Sequence, residues 1–113
     1  MDLSDWRKRI DQLDRKLLAL LNERAECVLK LAPLKRQKEI PIEEPGREAA
    51  IHASLNRHNE GPLSDEAVWR IFEAIMGEMK AVQREESRRA KRRPKRESPT
   101  RSVAKRSSRA DMK

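Results

Sequence analysis

The chain has 113 residues, the size of one domain, and its formal net charge is +8. Residues 1–83 hold 14 basic and 15 acidic side chains, whereas residues 84–113 hold 13 basic and 4 acidic ones. A membrane-spanning helix is excluded because the longest strongly apolar run covers only residues 17–21. Cys27 is the only cysteine, which excludes an internal disulfide and a cysteine zinc site. Since no secretory signal is visible at the N-terminus, we expect a cytoplasmic protein.

A long first helix is predicted from about Ser4 or Asp5 toward residue 38. Apolar residues recur there in steps of three and four, which is the period of a helix with one buried face. Pro33 lies inside this stretch, and because proline costs about 3 kcal/mol in a helix interior, we expect a kink or an early end there. A helix of about 30 residues is about 45 Å long, too long to be covered by a compact monomer. We therefore predict an intertwined homodimer that buries the exposed stripe.

Two shorter helices follow. A loop over residues 40–46 precedes a second helix from Arg47 to about His58, and residues 59–62 form a break. Ser64 is a good N-cap for a third helix, whose apolar stripe runs from Val68 to Val82. Since no strand-like alternation appears, the predicted fold class is all-α, a three-helix chain with one long N-terminal helix.

The C-terminal segment differs sharply in composition. Residues 88–96 form a dense basic block, followed by a mixture of serine, arginine and lysine. Such a segment cannot bury enough apolar surface to offset its ordering entropy. We therefore predict a domain over residues 1–86 and a disordered basic tail over 87–113. A solvated extension is favoured over a nucleic-acid-binding one, because no aromatic residue lies beside the block.

Arg24 and Lys35 are the most informative residues, because both lie on the apolar face of the first helix. An unpaired buried charge is costly, so each needs a partner. One interpretation is an internal salt bridge, for instance to Glu48, or a side chain reaching solvent at a dimer rim. The other is a pocket for a small anion that supplies the missing negative charge.

The first helix resembles that of the all-helical, AroQ-type chorismate mutases. Residues 10–24 carry the pattern I-D-x-L-D-x-x-L-L-x-L-L-x-x-R, preceded by Arg7 and followed by Lys35 eleven residues after Arg24. The similarity continues through Ile40-Pro41, Arg47-Glu48, residues 61–64 and residues 71–76, up to Gln83. It covers about residues 4–86.

This resemblance implies an isomerase that converts chorismate to prephenate in phenylalanine and tyrosine biosynthesis, on the shikimate pathway. It implies catalysis by electrostatic preorganisation, with no cofactor and no metal. Lys35, Gln83 and Glu48 would be catalytic, and Arg7 would come from the neighbouring subunit of a homodimer. The implied substrate-binding residues are Arg7, Arg24, Lys35, Glu44, Arg47, Glu48, Met79 and Gln83.

Two departures from the family pattern keep alternatives open. Pro33 stands two residues before Lys35, and Met79 stands where the family commonly has a serine. One alternative is a catalytically impaired helical interaction protein whose basic tail binds nucleic acid. A further alternative, because related helical pockets hold similar dianions, is an enzyme similar to isochorismate pyruvate-lyase.

Overall fold

A computed structural model of the chain describes residues 1–92, which fold into three helices and, over that range, no strand. Helix α1 spans Leu3–Gln37, α2 spans Pro45–His58 and α3 spans Asp65–Arg92. The molecule is elongated, with extents of 60 × 34 × 17 Å and a radius of gyration of 18.0 Å. The all-α prediction with one long N-terminal helix is confirmed.

Helix α1 begins earlier than the sequence analysis predicts, because a capping box closes its first turn. Asp5 N–H donates to Asp2 Oδ1 at 2.9 Å, and Asp2 N–H donates to Asp5 Oδ2 at 3.1 Å. The hydrogen bond from the Asp5 backbone lowers the pKa of Asp2 below its ordinary value. A charged aspartate at this position also suits the positive end of the helix.

Of the kink or early end predicted at Pro33, the early end is wrong, because α1 continues to Gln37; the kink stays a prediction. Proline removes one backbone donor from the ladder but leaves the neighbouring hydrogen bonds available. Ala32 and Lys35, on either side of the proline, are both buried. Their packing holds the last turn of α1 in place against the propensity of Pro33.

Helices α1 and α2 both pack on α3. Arg36 on α1 forms a two-pronged ion pair with Glu86 on α3, and His52 on α2 stacks on Trp69 of α3 with ring centroids 4.0 Å apart. Helix α2 begins at Pro45, where the fixed φ of proline suits the first turn. The predicted cap of α3 is confirmed, since Ser64 Oγ accepts from the Ala67 N–H at 3.0 Å.

A single chain buries very little apolar surface. Among the described residues, the buried apolar side chains are Val28, Ala32, Met76 and Met79, and no large side chain is fully enclosed. The first half of α1 is exposed instead, including Leu13, Leu17, Leu18 and Leu20. No helix within residues 1–92 is both long and apolar enough to cross a membrane.

Helix α3 extends into the basic block. Its described part reaches Arg92, and Glu85 forms ion pairs with Arg88 and Arg89 about one turn further on. The remainder of the block and the rest of the predicted disordered tail lie outside the described residues. The division of the chain at residue 86 stays a prediction.

Candidate active site

A cavity of about 490 Å³ lies among α1, α2, α3 and the loop between α1 and α2. This volume is in the range of sites that enclose a small molecule. Seven of the eight substrate-binding residues predicted from the sequence line it. The lining residues of the cavity are Arg24, Cys27, Val28, Leu31, Lys35, Ile42, Glu44, Arg47, Glu48, Ile51, Met76, Met79, Lys80 and Gln83.

Lys35 is the best enclosed cation of the cavity, with 7% of the residue exposed. Its Nζ lies 2.7 Å from Glu44 Oε1, 3.2 Å from Gln83 Oε1 and 3.3 Å from the carbonyl oxygen of Ile42. Lys35 therefore belongs to α1, and its ammonium group is held in position by α3 and by the loop between α1 and α2. The structure contains features of both interpretations of Lys35. The lysine forms an internal salt bridge with Glu44, and it also lines a cavity.

Gln83 is equally buried, and its orientation follows from the chemistry of its partner. A lysine ammonium group has only donors, so the amide oxygen of Gln83 must face Lys35. The amide NH₂ group then remains to donate elsewhere. Lys35 and Gln83 together place two kinds of N–H donor at the same wall of the cavity.

Met79 lies one turn before Gln83 on α3 and is buried against the cavity. Its thioether is a weak acceptor and has no hydrogen to donate. This wall of the cavity is therefore apolar at the position where the resemblance implies a hydroxyl.

The opposite wall comes from α2 and the preceding loop. Arg47 and Glu48 lie in the first turn of α2, where a carboxylate is favoured by the helix dipole. One interpretation of the sequence suggested a salt bridge between Glu48 and Arg24, and the structure does not contain this pair. The Oε2 atom of Glu48 lies 2.7 Å from Nζ of Lys80.

Lys80 is a cavity residue that the sequence analysis missed. Its Nζ also lies 2.9 Å from Glu43 Oε1, so one ammonium group contacts two carboxylates. Hydrogen bonding to Glu48, and then to Glu43, raises the pKa of Lys80 above its ordinary value. The contact with Lys80 also lowers the pKa of Glu43. Lys80 lies four residues after Met76 and three before Gln83 on one helix face, but this spacing alone does not distinguish it from a solvated lysine.

The cavity carries an excess of positive charge. Four of its lining residues are cationic and two are carboxylates, an excess of two positive charges. Arg24 is half-buried and forms no salt bridge to any residue within 1–92. Such a cavity suits a small molecule with two negative charges, because arginine binds carboxylate groups through paired hydrogen bonds.

Arg7 is the one predicted site residue that does not line the cavity. It lies in the second turn of α1 and is exposed. Arg7 precedes Arg24 by 17 residues, which is about 26 Å along a helix axis. The Arg7 side chain of the same chain therefore cannot reach the cavity.

These features describe a helical protein with a cavity that carries excess positive charge, and comparison with known proteins identifies the family. Residues 6–84 match the model of the family described as chorismate mutase type II. The chorismate mutase of Methanocaldococcus jannaschii is 33% identical over 84 residues, which cover 74% of this chain and 85% of that protein. The chain therefore belongs to the type II chorismate mutases, and the resemblance noted in the sequence is confirmed.

Two further comparisons agree. A solved structure of chorismate mutase (form II) from Thermus thermophilus superposes with a TM-score of 0.71 at 29% identity, covering 73% of this chain and 93% of that one. The bifunctional chorismate mutase/prephenate dehydratase of Pseudomonas aeruginosa is 41% identical over 86 residues, 72% of this chain. This chain spans only 24% of that bifunctional relative.

Proposed function

We propose that this chain is a chorismate mutase, which rearranges chorismate to prephenate in the biosynthesis of phenylalanine and tyrosine. The observation that carries the proposal is the buried Lys35–Gln83 pair at 3.2 Å, lining a cavity with an excess of positive charge. Family membership supports the same reaction. A location in the cytoplasm remains part of the proposal.

The reaction suits a pocket of fixed charges. Chorismate carries two carboxylates, a hydroxyl group and an enol ether. In one concerted step the ether C–O bond breaks while a C–C bond forms between the enolpyruvyl methylene and the ring, and no proton is transferred. The residues of this chain therefore need to hold the substrate in its folded conformer and to stabilise negative charge on the ether oxygen.

The donors of α1 and α3 account for the anionic end of the substrate. Lys35 donates to a carboxylate and to the ether oxygen, and the NH₂ group of Gln83 donates to the same oxygen. Arg24 binds a carboxylate through its planar guanidinium group. A bound carboxylate replaces Glu44 at Lys35, and Glu44, with 35% of its side chain exposed, turns toward solvent.

The residues of α2 bind the hydroxyl end. Glu48 accepts a hydrogen bond from the substrate hydroxyl, and Arg47 and the backbone near Glu44 complete this wall. Met79 contributes an apolar contact to the cavity wall.

A homodimer supplies the rest of the site. The exposed leucines of α1 favour pairing with a second copy, because water penalises such a stripe. An antiparallel arrangement of two α1 helices brings Arg7 of one subunit toward the cavity of the other. Arg7 then binds the second carboxylate.

Incubation with chorismate tests the reaction directly. We expect enzyme-dependent loss of the chorismate absorbance and accumulation of prephenate. Product analysis separates a mutase from a lyase, because a lyase releases pyruvate. The absence of turnover at micromolar protein with verified helicity contradicts the proposal.

Mixing two inactive variants tests the shared site. Arg7→Ala and Arg24→Ala chains each lack one group at every site, but a mixed dimer has one intact site and one doubly defective site. After random exchange of equal amounts, about one quarter of the sites are intact, so we expect about a quarter of the wild-type activity. No recovery on mixing, with exchange verified, contradicts the placement of Arg7 across the interface.

A further inference from the structure

Lys80 forms a bridge among three parts of the chain around the cavity. It belongs to α3, Glu48 to α2, and Glu43 to the loop between α1 and α2. Its Nζ lies 2.7 Å from Glu48 Oε2 and 2.9 Å from Glu43 Oε1. This contact ties α2 and the loop to α3 at the cavity wall.

The two contacts of Lys80 differ in their shelter from water. The side chains of Lys80 and Glu48 are 20% and 30% exposed, whereas that of Glu43 is 63% exposed. Water competes strongly for an exposed ion pair, so the contact with Glu43 is the weaker one. Lys80 is therefore principally the partner of Glu48.

We propose that Lys80 is a positioning residue for Glu48, holding Oε2 so that the other carboxylate oxygen, Oε1, accepts the substrate hydroxyl. This inference rests on the proposed function. A glutamate side chain has several freely rotating bonds, and fixing one oxygen removes much of that freedom before the substrate binds. The contact with Lys80 therefore restricts the Glu48 side chain and orients its carboxylate as a hydrogen-bond acceptor.

Lys80 also changes what the substrate encounters electrostatically. A carboxylate beside a dianion is repulsive unless a cation accompanies it. Without Lys80, the excess positive charge of the lining residues falls from two to one. The ammonium group therefore allows a carboxylate to act as an acceptor in a pocket built for anions.

A double-mutant cycle tests whether Lys80 acts through Glu48. The proteins are wild type, Lys80→Met, Glu48→Gln and the double variant, each assayed for kcat and KM with chorismate. Because small displacements of a binding group cost up to about 100-fold, we expect Lys80→Met to lower kcat/KM about tenfold or more. In the Glu48→Gln background, the same substitution should cost less than about threefold.

Further variants separate positioning from a structural role. Lys80→Arg keeps the charge and the donors, so it should recover most of the lost kcat/KM, whereas Lys80→Gln should not. Lys91→Met, an exposed lysine on the same helix, is the matched control and should leave turnover unchanged. Circular dichroism verifies folding, and Lys80→Gln replaces Lys80→Met in the cycle if the methionine variant does not fold.

Two results overturn the proposal. One is a kcat/KM within about twofold of wild type for the variants that lack Lys80, namely Lys80→Met and Lys80→Gln. The other is a full, multiplicative loss when the Lys80 substitution is added to Glu48→Gln, which indicates that Lys80 contacts the substrate itself. An inactive wild-type protein instead contradicts the proposed function, and that outcome is distinguished by the wild-type assay alone.

Discussion

Replacement of Lys35 by methionine separates the catalytic and the structural parts of the site. Methionine keeps the length of the side chain but removes the charge and every donor. Three partners are affected, namely Glu44, Gln83 and the carbonyl oxygen of Ile42. The effects on stability and on turnover have different expected sizes, so one variant yields two independent readings.

The loss of stability is expected to be modest. Glu44 is partly exposed and regains water, so most of the cost comes from Gln83, which is buried and loses its partner. An unsatisfied buried polar group costs about 1–3 kcal/mol. For a domain of this size, each kcal/mol lowers the thermal midpoint by about 4–8 °C.

The loss of turnover is expected to be much larger. Removal of one preorganised donor from a developing negative charge lowers kcat by about 10²- to 10³-fold. Lys35 also contacts Gln83, the proposed second donor to the ether oxygen, so that donor is disturbed as well. Initial rates of chorismate consumption give kcat, and Lys30→Met, an exposed lysine on the same helix, is the matched control. A kcat within about tenfold of wild type, with the midpoint lowered as expected, refutes the catalytic role of Lys35.

Two further substitutions test the N-terminus and the interior of α1. Pro33→Ala should raise the free energy of unfolding by up to about 3 kcal/mol, because alanine restores the missing backbone donor and removes a ring clash. Denaturant titration measures this gain. No gain would indicate that α1 is already relaxed around the proline. Asp2→Ala should lower helicity at neutral pH and weaken its pH dependence. The lowered pKa of Asp2 means that its contribution is present above the ordinary value of 3.8 and is lost as the pH falls through the folded-state pKa. Far-ultraviolet circular dichroism measures helicity across acidic pH. A variant whose helicity follows the same pH curve as the wild type contradicts the stabilising role of the Asp2 cap.

The fold is largely predictable because the helical period of this chain is strong. The apolar stripe of α1 and the Ser64 cap of α3 depend only on residues close together in the chain, so the sequence predicts them directly. The early end predicted at Pro33 is wrong because the cost of a proline is local, whereas the burial of Lys35 depends on α3. The predicted start of α1 lies within two residues of the observed one at Leu3, and the reciprocal pair Asp2 and Asp5 has the spacing of a capping box.

The site is predictable in part. The family pattern indicates the residues that line the cavity, and their roles remain a proposal. Lys80 is missed because a lysine on a helix surface is ordinarily a solvated one, and only the fold brings Glu43 and Glu48 to it. Pairings between distant segments depend on the loop between α1 and α2, whose course no periodicity describes.

The pairing of Lys35 with Glu44 is compatible with anion binding and follows from the physics of a buried cation. An unpaired charge in a low-dielectric pocket costs several kcal/mol, so a chain that keeps a lysine there for an anionic ligand needs a provisional partner. That partner should be easily displaced, which requires that it regain water when it leaves. Glu44 meets this condition, since it lies on a loop with about a third of its side chain exposed. Lys35 is therefore stabilised by a carboxylate that, under the proposed function, we expect a substrate carboxylate to replace at little cost.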